Sequence, residues 1–250
     1  MRRVGVRCSI ALPDEPRANM RKEEGKERRL WLAVAALALT FSVTARAETD
    51  TGSAHNLIFK LPLGEGPWYL SSRNLLTSRE GFDDFFFGYL DLNLGRELGE
   101  DSGWAAEIGY RHAWLEDAGV GGDWRDEYRP SAILSYQTKL GDWSFANRHR
   151  IEYRTFEGGS GANDRFRYRN ETRLIAPWEF TSLRARPFVE EEFFYELTDD
   201  GFNYNWFTTG MRWQVSEGVV AKLGYRWQAY TFGDGWNHRH QLVTGLLFFF

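Results

Sequence analysis

Arginines and glutamates recur at every second position through the middle of the chain, and this spacing is the chemistry the sequence offers. In Arg165-Phe-Arg-Tyr-Arg-Asn-Glu-Thr-Arg173 the odd positions are all charged; Arg148, Arg150, Glu152 and Arg154 form a second ladder, and Arg184, Arg186, Glu190 and Glu192 a third. On an extended strand alternate side chains share a face, so each ladder presents guanidinium groups flanked by carboxylates such as Glu171. A stripe of this kind either lowers the electrostatic barrier for anions or closes on itself as a filling of ion pairs. Catalysis is not indicated. A nucleophile needs a base in reach, and His112, His149, His238 and His240 fall on the opposite face without a serine partner. His238 and His240 lack the nearby carboxylate that would complete a metal site. Glu190-Glu191-Glu192 looks like acid–base equipment, yet alternation turns Glu191 away from the other two, which face arginine. Glu157-Gly-Gly-Ser-Gly-Ala-Asn163 has no helix after it and is a loop rather than a phosphate cradle. No catalytic, cofactor or metal residue is expected.

The elements that must carry these ladders are strands. From residue 66 onward the pattern predicts strands over about 66–76, 85–97, 104–114, 127–140, 143–156, 165–176, 182–196, 204–215, 219–230 and 238–250, with no competing helical period. The breaks between them alternate in kind. Gly99 to Gly103, Gly141-Asp142, Pro177 to Thr181 and Ser216 to Gly218 are tight; Ser78 to Asp84, Leu115 to Asp126, Glu157 to Asp164, Thr198 to Asn203 and Thr231 to Trp236 are longer and richer in Gly and Asp. Short turns on one side and long loops on the other are the pattern of a barrel in an outer membrane. An arginine facing lipid near the midplane costs roughly 2–4 kcal/mol, so the charged faces must point inward. The opposite faces, with Phe145, Ile151, Tyr153, Val189, Phe193, Phe207, Met211, Leu223 and Trp227, then point to lipid. A soluble barrel would show the same alternation with the faces exchanged; the loop pattern and the chain end favour the membrane form.

That end is Leu242-Val-Thr-Gly-Leu-Leu-Phe-Phe-Phe250, an alternating apolar strand closed by Phe248 and Phe250. It resembles the terminal signature of bacterial outer-membrane barrels, which implies recognition of those phenylalanines by the outer-membrane assembly machinery. At the other end, Arg21 to Arg29 is charged, Leu30 to Thr44 is apolar and Ala45-Arg46-Ala47 offers a cleavage site. This reads as a secretory signal peptide over 20–47, with 1–19 an extension ahead of the true start, 48–65 a periplasmic lead-in or else part of the first strand, and 66–250 the barrel. The single cysteine, Cys8, lies in the extension. Beyond Ala47 there are 21 basic and 30 acidic residues, a net charge of −9, which argues against nucleic acid as a partner.

A hairpin symmetric about Glu157 to Asp164 would set Arg150 opposite Glu171 and Glu152 opposite Arg169. A turn at Pro177 to Thr181 would bring Glu171 near Arg186, Arg167 near Glu190 and Arg165 near Glu192. Basic positions still outnumber acidic ones on the inward face, with Arg111, Arg129, Arg226 and Arg239 among them against Asp91, Glu107 and Glu196. The expected interior is therefore cationic.

The order of the segments Arg148-His-Arg-Ile-Glu-Tyr-Arg154, Arg165 to Leu174, Arg186-Pro-Phe-Val-Glu-Glu-Glu-Phe-Phe194 and Leu223-Gly-Tyr-Arg-Trp-Gln228, closed by Asn237-His-Arg-His240, resembles an uncharacterised family of bacterial outer-membrane barrels catalogued as a domain of unknown function. The resemblance covers roughly 68–250. It implies a fold and a location and brings no site residues. More distantly the chain is similar to the oligogalacturonate-type small porins, twelve-stranded barrels with arginine-lined lumens. The expectation is an all-β, transmembrane, antiparallel up-and-down barrel of about ten strands, or twelve, monomeric in the outer membrane and in contact with its lipid. Its function would be a narrow path for small anionic solutes, lined by Arg148, Arg150, Arg154, Arg165, Arg167, Arg169, Arg173, Arg184 and Arg186, with Glu152, Glu171, Glu190 and Glu192 as ion-pair partners. The alternatives are a closed structural barrel and, less favoured, a lipid-modifying enzyme.

Overall fold

The computed structural model describes residues 49–82, 84–116, 124–157, 164–197, 201–232 and 235–250. The expected extension at 1–19 and signal peptide at 20–47 lie outside these residues, as do the tips of several of the longer loops. Within them are β1 (Thr49–Pro62), β2 (Trp68–Arg79), β3 (Asp84–Glu97), β4 (Trp104–Glu116), β5 (Trp124–Leu140), β6 (Trp143–Glu157), β7 (Arg165–Ile175), β8 (Arg186–Glu196), β9 (Gly201–Ser216), β10 (Val219–Phe232) and β11 (Gly235–Phe249). Each strand pairs antiparallel with the next, and β1 pairs with β11 to close the barrel.

The up-and-down barrel is the expected fold, with eleven described strands where about ten were expected. The additional strand is β1, so most of 48–65 is barrel wall rather than a lead-in. Its first half, Thr-Asp-Thr-Gly-Ser-Ala-His-Asn, has no apolar alternation to signal a strand. An odd number of up-and-down strands makes the first and last run the same way, so the closing seam is parallel, from Thr49 opposite His238 to Lys60 opposite Phe249. Phe59 and Phe248 stack across it with ring centroids 5.1 Å apart. We call the end where the chain stops the base. There the connections are mostly tight, as at Gly141 and Gly218, whose φ values of 59° and 75° suit glycine.

Alternation sorts the two faces by polarity, in the reverse of a water-soluble domain. The outer wall exposes Leu90, Leu92, Ile108 and Ile151, with Ile108 67% exposed. The inner wall buries Arg111, Glu127, Arg150, Glu152 and Glu196 almost completely. Charged side chains are found this deep only when paired, so the interior must be a network. An apolar cluster of Ala54, Leu75, Tyr89, Ala113 and Val243 packs beside it. Gly95 leaves room for the Tyr69 ring, which lies 2.3 Å from where a Cβ would stand.

Candidate functional site

Three carboxylates knit the middle of the barrel. Asp91 on β3 accepts from Arg111 and Arg150, each at 2.6 Å. Glu152 on β6, 0% exposed, accepts from Arg167 Nε at 2.5 Å, with Arg169 at 3.6 Å and Arg150 at 3.8 Å. Glu192 on β8 accepts from Arg169 Nη2 at 2.5 Å. Toward the rim, Arg154 bridges Glu127 and Glu196, and Arg129 joins Glu127 at 2.5 Å. Toward the base, Arg73 reaches across the barrel to Glu171 at 2.9 Å, Arg148 donates to Glu107 at 3.1 Å, and Glu190 stands 3.6 Å from both Arg173 and Lys222. At such short range and this deeply buried, the pairs of Asp91, Glu127, Glu152 and Glu196 are far more damaging to break than pairs on a surface.

The expected ladders are inside, but their registers differ from those a symmetric hairpin would give. Arg148, not Arg150, stands opposite Glu171, and Glu152 opposite Arg167 rather than Arg169; the hairpin is offset by two residues. Between β7 and β8 the offset is larger, with Arg173 opposite Glu190 and Arg167 opposite Glu196. There the chain adds a small turn at the base, closed by a Phe180 to Ala185 bridge, and β8 begins at Arg186. Arg184 accordingly does not line the lumen: it sits in that turn at φ 51°, 65% exposed, 3.9 Å from Glu179. Arg186 stays at the base of the wall and donates to the Ala176 carbonyl at 2.8 Å. Arg165 approaches Glu196 at 3.9 Å.

Aromatic rings and acids that the ladders did not suggest complete the interior. Arg111 lies over Tyr89 at 3.6 Å, Arg169 over Phe194 at 4.5 Å, Arg226 over Trp206 at 4.5 Å and Arg239 over Phe86 at 4.3 Å. Ring faces thus hold Arg226, which has no carboxylate partner among the described residues, and add to the ion pairs of Arg111, Arg169 and Arg239. Glu127 adjoins Asp126, which blurs the alternation around it, and Arg73 stands alone among Ser71, Ser72 and Asn74, so neither is marked by the ladders. Below this lattice a cavity of about 40 Å³ remains, lined by seven cationic side chains (Arg73, Arg111, Arg148, Arg169, Arg173, Lys222, Arg226) and three acidic ones (Glu171, Glu190, Glu192).

The histidines face outward as expected, in pairs with neighbours: His112 with Asp126 at 2.6 Å, His149 with Tyr168 at 2.6 Å, and His240 with Tyr225. A Ser–His contact does exist on β1. Ser53 Oγ is 2.9 Å from His55 Nε2, and His55 Nδ1 is 2.8 Å from Thr244 Oγ1. The connectivity matches that of a nucleophile, its base and an orienting group. Ser53, however, is 3% exposed and also bound to Ser78 Oγ at 2.7 Å, so an ester carbonyl has no approach to it; the trio fastens the parallel seam.

A family described as "Protein of unknown function (DUF2490)" matches residues 55–239, from within β1 to the start of β11. The chain belongs to that family. It is similar to a solved structure of the NanC porin in a rhombohedral crystal form, at 13% identity and a TM-score of 0.44, covering 71% of this chain and 86% of that chain. No curated protein matches the chain.

Proposed function

Taking membership of that family as the premise, we propose that the chain is a bacterial outer-membrane β-barrel that passes small anions through a narrow, arginine-lined interior and performs no catalysis. The carrying observation is the cavity, with its seven cationic and three acidic side chains. Arg73, 26% exposed at its side chain, and Arg173 keep contact with solvent there. Such a surplus attracts anions and repels cations. The cavity holds only a few waters, and the lattice above it is closed, so a permeant ion must be small and flux slow.

The outer wall supports the membrane placement. Its belt of exposed leucine, isoleucine and phenylalanine would be an aggregation surface in water but matches hydrocarbon, and a closed barrel leaves no unpaired strand edge in lipid. Tryptophans mark both borders of the belt: Trp68 and Trp104 begin β2 and β4 at the base, while Trp124 and Trp236 stand at the rim. This is where interfacial girdles belong. At the terminus, exposed Phe250 donates its backbone N–H to the Lys60 carbonyl at 3.1 Å. It remains accessible for the outer-membrane assembly machinery, in keeping with an assembly role for Phe248 and Phe250.

A second reading, a closed structural barrel, is favoured by the complete burial of Glu127, Glu152 and Glu196. Single-channel recording separates the two. Residues 48–250, refolded and inserted into a planar bilayer under a salt gradient, should give small steps with anion preference, and Arg73→Glu with Arg173→Glu should reverse that preference. Silence from a barrel shown to be inserted refutes the path and leaves the closed form.

A further inference from the structure

One polar interruption of the apolar outer wall contains a carboxylate. On β6 to β9, at mid-strand, Asn147, His149, Asn170, Thr172, Glu191 and Asn205 all face outward. They form a connected polar patch: Asn147 Nδ2 donates to Thr172 Oγ1 at 2.8 Å, and Asn205 Nδ2 to Glu191 Oε1 at 3.0 Å. Ile151, Val189, Phe193 and Phe207 surround it. Glu191 is the only carboxylate among the described residues to face outward in the middle of a strand, and it is exposed. If the wall meets lipid, as proposed above, an open carboxylate at this depth is unfavourable, and polar groups so placed normally meet a protein partner.

The patch is complementary to itself. His149 Nδ1 lies 2.6 Å from the Tyr168 hydroxyl and 3.1 Å from the Asn170 amide nitrogen; the amide N–H can only donate, so Nδ1 accepts, the ring proton sits on Nε2 and a donor turns outward. Nε2 has no hydrogen-bond partner among the described residues, and the same holds for the second oxygen of Glu191. The donor lies on β6 and the acceptor on β8, one on either side of β7. Two copies inserted the same way up can be related only by an axis along the membrane normal. A two-fold axis beside β7 sets β6 of each copy against β8 of the other.

We propose that this wall is the interface of a homodimer in the membrane, in which each His149 Nε2–H donates to the partner's Glu191 across a two-fold axis at Asn170 and Thr172. The pair is the barrel's second-copy contact, in place of the monomer expected from the sequence. It fits a second copy better than an unrelated protein because the donor and the acceptor it lacks are both supplied by the patch itself.

The test is disulfide capture of the full chain in outer membranes, in a Cys8→Ser background. Thr172→Cys, beside the axis, should cross-link as a dimer at least ten times more than Leu57→Cys on the opposite wall. Glu191→Ala should abolish the excess, and the exchange His149→Glu with Glu191→His should restore it. Chain that inserts, is heat-modifiable and cross-links no better at Thr172→Cys than at Leu57→Cys overturns the dimer while leaving the membrane reading intact. Chain that does not fractionate with the outer membrane overturns both. Should Glu191→Ala fail to fold, Glu191→Gln serves in its place, since the amide keeps the volume and an acceptor but loses the charge; a partial loss of cross-linking is expected of it and an unchanged yield refutes the pair.

Discussion

Replacing Glu152 by alanine tests whether the interior is a dry lattice. The carboxylate is fully buried and has three guanidinium neighbours, but they do not depend on it equally. Arg150 keeps Asp91 at 2.6 Å and Arg169 keeps Glu192 at 2.5 Å. Arg167 loses its 2.5 Å acceptor and retains only Glu196, at 3.7 Å. Its remaining support is the Phe194 ring at 5.3 Å. Breaking a buried pair from one side costs about 3–5 kcal/mol, because a charge is left without compensation. Glu152→Ala should therefore destabilise the barrel by about 3 kcal/mol, toward the low end since Glu196 can close part of the gap. Glu152→Leu combined with Arg167→Met removes both charges at similar volume and should lie within about 1 kcal/mol of the native chain. Urea-dependent folding in lipid vesicles, followed by tryptophan fluorescence, measures both. A cost below about 1 kcal/mol for Glu152→Ala, the range of exposed pairs, would falsify the dry lattice and imply a water-filled lumen.

Two further outcomes follow from the fold. Deleting residues 49–66 removes β1 and its pairing with both β2 and β11, so no heat-modifiable barrel should form on gel electrophoresis; a truncated chain that folds normally would show that β1 is not part of the closed wall. Arg169→Lys keeps the charge but loses the two nitrogen contacts with Glu192, at 3.0 and 2.5 Å, and the planar group over Phe194. It should destabilise by about 1–3 kcal/mol in the same urea titration, and a neutral result would mean that only the charge matters at this site.

Period-two alternation was enough to identify the barrel, its inward faces and most of the lumen arginines, because turning a strand by one residue would put a full row of guanidinium groups into the apolar wall. Register was not legible, because it is set by turn geometry. A hairpin symmetric about Glu157 to Asp164 predicts a pairing two residues from that observed; after β7 the Phe180 to Ala185 bridge lengthens the turn and carries Arg184 out of the lumen. β1 gives no clear strand signal because its polar first half is held by hydrogen bonds across the seam, such as His55 to Thr244 Oγ1 and Asn56 Nδ2 to the Thr244 carbonyl, rather than by apolar alternation. The lumen aromatics were hidden for a related reason: Phe86, Phe194 and Trp206 lie in runs of aromatic residues where neither face stands out as apolar.

The choice of arginine explains how the interior can be cationic and still closed. A lysine ammonium is a compact, strongly hydrated charge, whereas a guanidinium is planar, weakly hydrated and able to stack. Arg111 shows the consequence: its edge donates to Asp91 at 2.6 Å while its face covers Tyr89 at 3.6 Å, so one side chain satisfies an acid and fills a gap. The same arrangement recurs with Arg169, Phe194 and Glu192. The lysine that lines the cavity, Lys222, does not take part in the mid-barrel lattice; it lies 3.6 Å from Glu190, beside the open space. The surplus of cationic side chains thus lies toward the base, where Arg73, Arg173 and Lys222 line the cavity. On the proposed anion path, an ion entering from that end would meet attraction first and the lattice second, and opening of the Glu152 and Asp91 ion pairs would limit its passage.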